Sequence, residues 1–395
     1  MRDDDAAPAA IGFVEKLLTL LDEGRKTATY KYAVLLALMD LCMERSAPDG
    51  GPPKRIPTRA MAEKVVERYW PHTRFFDGAD GAVVLRQNRG GQAEILTMIS
   101  AFRERLGSRT ATTVGQARIA DPDGFEALVR EVEWKLIEMP LPRLQQIGTG
   151  YEAFIYDIAW TTDVRRSDFT REAHDFALRL RPGVGDHLVR LSALLRPLIQ
   201  RQWADLVATF NRSAVYDHGL DAFLFGEPRR APTVLVDGLR QLQINRCFYC
   251  EATMHHAVEV DHFIPWARHP DDAIQNLVLA HRSCNSAKRD FLAAASHLAH
   301  WNDRLTPVSS RQLHQLAVEH RWPSAHATSR NVARAIYLRL PSGAKLWLRE
   351  RKFVDVDRRA LLTSLATSST APADRAAEQS VPFDADTESG TARTD

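Results

Sequence analysis

Three of the chain's four cysteines fall between residues 247 and 284, as Cys247-Phe248-Tyr249-Cys250 and, paired with a histidine, as His281-Arg282-Ser283-Cys284. Two donors at i and i+3 leave a tight turn facing one metal ion, and a second such pair closes a tetrahedron around it. The ends of this segment must therefore meet. His281 is preferred as the fourth zinc ligand because it restores the pair spacing, with His255 and His256 as the alternatives. Zinc in such a site is structural and holds the two ends together. Cysteines gathered in one segment argue for ligation rather than for the disulfide framework of a secreted protein. Cys42 stands apart, in a stretch whose apolar residues recur at helical spacing, and reads as a core residue.

Inside the bracket, Val258 to His262 alternates like a strand, Leu277 to Leu279 reads as a second short strand, and Asn285 to Ala295 reads as a helix. Asp261 and Asn285 then offer two oxygen donors to one divalent ion, which favours Mg²⁺ or Mn²⁺ over zinc at this second site. Neighbours on a strand point to opposite faces, so Asp261 and His262 reach one phosphate only if the strand ends or turns there. Lys288 shares a helix face with Asn285 and is expected to pair a phosphate oxygen. Arg289 reads as solvent-exposed, and His269, in the loop Ala267 to Asp272, as a surface histidine.

Val260-Asp261-His262, then Asn276-Leu277, then Cys284-Asn285 through Lys288 resemble, in that order, the HNH endonucleases of the ββα-metal superfamily. The resemblance covers residues 241 to 305. It implies that His262 is the general base, that Asp261 and Asn285 hold the catalytic metal, and that the Asn276 amide pins the loop that orients the histidine. An imidazole with a pKa of about 6.5 is neutral at pH 7 and can accept a proton from water. The metal acts as a Lewis acid, and the products are a 5′-phosphate and a 3′-hydroxyl. The family's usual zinc pattern is Cys-x-x-Cys twice, so His281 is a departure, and the third name-giving residue here is Asn rather than His. The segment is also similar to the C-terminal cutters of restriction and phage-defence proteins. This implies DNA as the partner, together with other defence-system subunits. A double-strand cut by such a site calls for a homodimer or two visits. The competing readings are a zinc knuckle that binds nucleic acid without cutting it, and an RNA-cutting toxin.

The rest of the chain says less. With a formal net charge of only +2, nucleic-acid binding has to come from local patches. One runs from Glu319 to Arg359, with ten Lys/Arg against four Asp/Glu. No apolar run approaches a membrane span and the N-terminus is acidic, so a cytoplasmic protein without a membrane partner is expected. The expected fold is mainly α and multidomain, ending in a zinc-stapled ββα finger. Its expected divisions are an N-terminal helical domain (1–125), a helical scaffold (126–235), the nuclease domain (236–305), a basic helical extension (306–364) and a disordered tail (365–395). Thr58 is expected to cap a helix from Arg59 to Trp70. The turn and strand that follow allow a winged-helix reading, with Arg59, Lys64, Arg68 and Arg74 on phosphate. Asp186 is expected to cap a long helix, and Gly183 and Gly185 lack the rest of a phosphate loop.

Overall fold

The apolar run Ala33 to Met39 is hydrophobic on every side, and a helix of that kind belongs in an interior. In the computed structural model it forms the centre of α2 (Tyr30–Glu44), in which every residue from Lys31 to Met43 is buried, Cys42 included. The structure describes residues 3–366 except 24–26, 79–80, 108–112, 148–149, 171–175, 213, 216–218, 227–232, 256 and 342. His256 and nearly all of the tail expected to be disordered thus lie outside the described residues. Residues 1–365 form one compact unit.

Around α2 lie α1 (Asp3–Glu23), α3 (Thr58–Tyr69), α4 (Glu94–Arg105), α5 (Val114–Ala120), α6 (Pro122–Glu138), α7 (Arg166–Phe169), α8 (Val184–Arg190), α9 (Ser192–Phe210) and α10 (Leu220–Phe225). Strands here are short: β1 (Arg55–Pro57), β2 (Phe76–Gly78), β3 (Gly81–Val83), β4 (Gln146–Ile147), β5 (Gly150–Tyr151), β6 (Tyr156–Asp157) and β7 (Ala177–Leu180). Antiparallel pairing gives one three-stranded sheet in the order β1-β7-β6 and two hairpins, β2-β3 and β4-β5. Among the described residues no helix is long and apolar enough to cross a membrane.

α3 overturns the winged-helix reading. It lies against both α2 and α6, and each of its residues is buried or half-buried, so it presents no open face to a groove. Its cations are spent internally. Lys64 pairs with Glu44 at 2.7 Å and with Glu67, Arg68 pairs with Asp40, and Arg59 pairs with Glu126. Arg74, just beyond α3, donates to the Phe223 carbonyl. α6 runs through residue 125 without a break. Asp186 does not cap its helix: α8 starts after Gly183 (φ 79°), and Asp186 in the first turn accepts from Arg339 Nε at 2.8 Å.

The second half of the chain contributes α11 (Val236–Leu242), β8 (Val258–His262), β9 (Leu277–His281), α12 (Arg282–Lys288), α13 (Ala295–Asp303), α14 (Pro307–Glu319), α15 (His326–Tyr337), β10 (Lys345–Arg349), β11 (Lys352–Asp355) and α16 (Arg358–Leu365). α15 lies on α2 and α8. Ser46 donates to the Asn331 carbonyl at 2.8 Å, and Asn331 returns a bond to the Glu44 carbonyl at 3.0 Å. Gly50 has a φ of 75°, and a Cβ there would lie 2.8 Å from the Arg334 carbonyl oxygen, so only glycine permits this approach. Part of the basic stretch 319–359 is consumed by the fold. Arg334 is buried, Arg330 donates to Asn302, Arg339 holds Asp186, and Lys345 pairs with Asp355. Arg349, Arg351 and Lys352 stay exposed on the β10-β11 hairpin.

Candidate functional site

β8 and β9 pair antiparallel, with Val258 opposite His281 and His262 opposite Leu277. This register carries His281 to the zinc end of the hairpin and His262 to the other. β9 runs directly into α12, so Cys284 follows His281 within the first helical turn. The Cys247 to Cys250 turn is tied to the same hairpin, because Phe248 N donates to the Leu279 carbonyl at 3.0 Å. Cys247, Cys250, His281 and Cys284 thus converge, their donor atoms all lying within 4.8 Å of one another. A tetrahedral zinc with bonds of about 2.0–2.3 Å sets its ligand atoms roughly 3.3–3.8 Å apart. Cys250 Sγ and His281 Nδ1 are already at 3.3 Å. His281 Nε2 lies 3.3 Å from the Thr253 carbonyl, which can only accept, so Nδ1 is the nitrogen left for the metal. The donor set fits zinc. The Cys284 thiol, followed by backbone N–H groups of Cys250, His281 and Tyr249, pulls the Cys247 thiol below its ordinary pKa. Among the described residues this is the one such cluster, and His255 is not part of it.

At the other end of the hairpin, β8 stops at His262 and the chain bends, as the adjacent Asp261 and His262 require. Asn276 fixes that bend. It is fully buried, its Oδ1 accepts from Ile264 N at 2.8 Å, and its Nδ2 donates to the carbonyls of Ile264 (3.1 Å) and Asp271 (3.0 Å). Asp261 turns toward α12, where its Oδ2 lies 2.9 Å from Lys288 Nζ and also accepts from the Tyr249 hydroxyl. His262 turns toward the loop that follows, with Nε2 2.9 Å from Asp272 Oδ1 and its ring 5.3 Å from that of Trp266. Asn285 donates to Glu259 at 2.9 Å, leaving its amide oxygen as a donor for a cation. Two oxygen donors, one of them charged, fit a hard divalent ion that keeps much of its own water.

Two expectations need correction here. Lys288 is fully buried, and besides Asp261 it serves the His262 carbonyl at 3.0 Å, so it braces the strand end from inside and has no exposed surface to offer a phosphate. The helix expected from Asn285 to Ala295 is instead α12, which begins at Arg282 and ends at Lys288, where Arg289 takes a φ of 50°.

His269 is a third correction. It is buried, with Nε2 3.2 Å from Glu44 and Nδ1 3.5 Å from Asp40, both on α2. The loop that carries Asp272 is thereby plugged into the N-terminal helices. Asp272 is the residue that sequence reasoning missed; its signal was an acidic pair, Asp271-Asp272, between the Asp-His pair and Asn276. A cleft of about 880 Å³ runs between this loop and α3, with Trp266 and Asp272 among its walls.

Residues 247–294 match the family model of the HNH endonucleases, inside the segment that carries both clusters. Residues 11–222, more than half of the chain, match a family described as a domain of unknown function (DUF8808). No curated protein and no solved structure matches the chain. The chain is thus a member of the DUF8808 family and carries an HNH endonuclease domain at residues 247–294.

Proposed function

We propose that the chain is a Mg²⁺- or Mn²⁺-dependent endonuclease that hydrolyses DNA phosphodiester bonds and serves restriction or phage defence. The observation that supports this most is the setting of His262. It ends a strand whose preceding residue is an oxygen donor facing α12, and Asn276 clamps the bend that separates the two side chains.

His262 Nδ1 takes a proton from water, and the water oxygen attacks phosphorus as the bond to the 3′ oxygen breaks. The departing 3′ oxygen takes a proton from solvent water, so that a 5′-phosphate and a 3′-hydroxyl remain. Bound to Asp261 and Asn285, a divalent ion supplies Lewis acidity at the phosphate. Arg349, Arg351 and Lys352 support a nucleic-acid substrate. Their hairpin lies beside α12, joined to the chain just beyond it by the Ala293–Trp347 bridge, and phosphates attract exposed cations.

The test is His262→Ala assayed on duplex DNA, single-stranded DNA and RNA with Mg²⁺ or EDTA present. Loss of a general base is expected to slow cleavage about 10²- to 10⁴-fold. Equal degradation by wild type and variant, indifferent to EDTA, sinks the enzymatic reading and leaves a zinc-knuckle binding protein. Cleavage of RNA alone replaces the DNA assignment with an RNA-cutting one. For the defence role, cells carrying the gene are expected to resist phage, and cells carrying the His262→Ala form are not.

A further inference from the structure

We infer that Asp272 is a positioning residue for the base, fixing the tautomer and orientation of His262; this rests on the nuclease reading above. A carboxylate at Asp272 Oδ1, 2.9 Å from His262 Nε2, can only accept, so Nε2 carries the ring hydrogen. The lone pair then sits on Nδ1, the atom required to take the proton from water. During the reaction that proton moves from water to Nδ1, while the Nε2 hydrogen stays in its bond to Asp272. The carboxylate faces the imidazolium that forms.

Asp272 is itself held from several sides, which is what a positioning group needs. Its backbone carbonyl accepts from Trp322 Nε1 at 2.7 Å. Next to it, Asp271 accepts from the Ser329 hydroxyl at 2.7 Å and from Ala273 N at 2.9 Å, while its own carbonyl is bonded by Asn276. Three residues upstream, His269 is fixed between Glu44 and Asp40. Two of these braces, Trp322 and Ser329, lie beyond residues 247–294, and two more, Asp40 and Glu44, come from the DUF8808 part of the chain. The orientation of the base is therefore set by the whole protein rather than by the HNH segment alone. Asp272 is 22% exposed on its side chain and lines the open cleft, so a small carboxylate from solvent can reach its place.

The experiment compares Asp272→Ala, Asp272→Asn and His262→Ala in the full-length, zinc-loaded protein. For Asp272→Ala, kcat is expected to fall about 10- to 100-fold, with KM and the melting temperature within error of wild type. Added formate should restore kcat several-fold in Asp272→Ala and do nothing for His262→Ala. Asp272→Asn keeps the shape but can donate its amide hydrogen to Nε2. That moves the ring hydrogen to Nδ1, so the near-isosteric variant is expected to be at least as impaired as Asp272→Ala. A merely structural Asp272 would give the opposite order, with Asn mild, Ala less stable and formate without effect, and that pattern overturns the inference. A fully active Asp272→Ala beside an inactive His262→Ala overturns the role of Asp272 alone. A fully active His262→Ala overturns the nuclease reading itself.

Discussion

Purified without chelator, the protein is expected to carry about one zinc per chain, and removing it should unfold the segment from Cys247 to Ala294. Structural zinc in small fingers is worth roughly 10–16 kcal/mol of apparent binding free energy at neutral pH, and that binding is coupled to folding. Here the staple joins the start of the segment to the junction of β9 and α12, the same hairpin that ends in Asp261 and His262. Cys247→Ser and Cys284→Ser should therefore lose zinc, melt earlier and expose the segment to protease. His281→Cys should keep all three properties, because a thiolate also suits zinc and the i, i+3 spacing is unchanged. Chelator alone does not separate the two metal sites, but order of addition does. Excess Mg²⁺ is expected to restore cleavage after brief chelation and to fail once zinc has left. Zinc near zero in the untreated protein, by elemental analysis, would refute the staple.

The second large effect is expected far from the chemistry. Asp40 sits fully buried on α2, held by Arg196 at 2.6 Å and by Arg68, with His269 at 3.5 Å. Replacing it with Ala leaves the guanidinium groups of Arg196 and Arg68 without their counter-charge in the interior, while His269 keeps only Glu44, a change that costs about 3–5 kcal/mol. The denaturation midpoint should drop accordingly.

The cluster also sets a pH window. Burial alone would depress His269, but the adjacent Asp40 and Glu44 carboxylates prevail and raise its pKa. Burial would raise Asp40, yet Arg196 and Arg68 hold it well below the usual carboxylate range. Glu44 is lowered to about 2, with Lys64 and His269 outweighing its burial. Lys64, Arg68, Arg196 and Asp271 are the other charged groups facing this centre. The histidine's contribution is complete below its unfolded pKa of about 6.5 and disappears as pH rises through its higher folded value. The carboxylates contribute fully above about pH 4–4.5 and lose that contribution as pH falls through their lowered folded values. Stability from this cluster should therefore peak between about pH 4.5 and 6.5 in wild type, and the alkaline limb should vanish in His269→Gln. An unchanged alkaline limb in that variant would contradict the assignment.

Short-range patterns were legible in the sequence because their physics is short-range. The i, i+3 spacing inside each ligand pair, the strand ending at His262 and the role of Asn276 at the bend each depend on residues close together in the chain. Long-range satisfaction was not legible. His269 looked like a loop surface residue because its acidic partners lie more than 200 positions earlier, on a helix whose Asp40 and Glu44 look unremarkable in isolation. Lys288 looked like a phosphate binder because helix phase identifies a shared face but not whether that face is open. Arg59, Lys64, Arg68 and Arg74 similarly read as a basic surface until their partners on other elements were placed. Asp272 needed the bend after His262 before its carboxylate could meet the ring.

The clasp of α15 on α2 and α8 has a consequence for biosynthesis. A ribosome makes α2 second and α15 last but one among the described helices, so the buried α2 waits uncovered on one side until residue 337 has emerged. The complete metal-binding motif is translated before the wall that supports its loop. A chain that stalls after Asn285 thus holds every cutting residue without the Trp322 and Ser329 braces. Termination there removes both the braces on the Asp271-Asp272 segment and the α15 cover of α2.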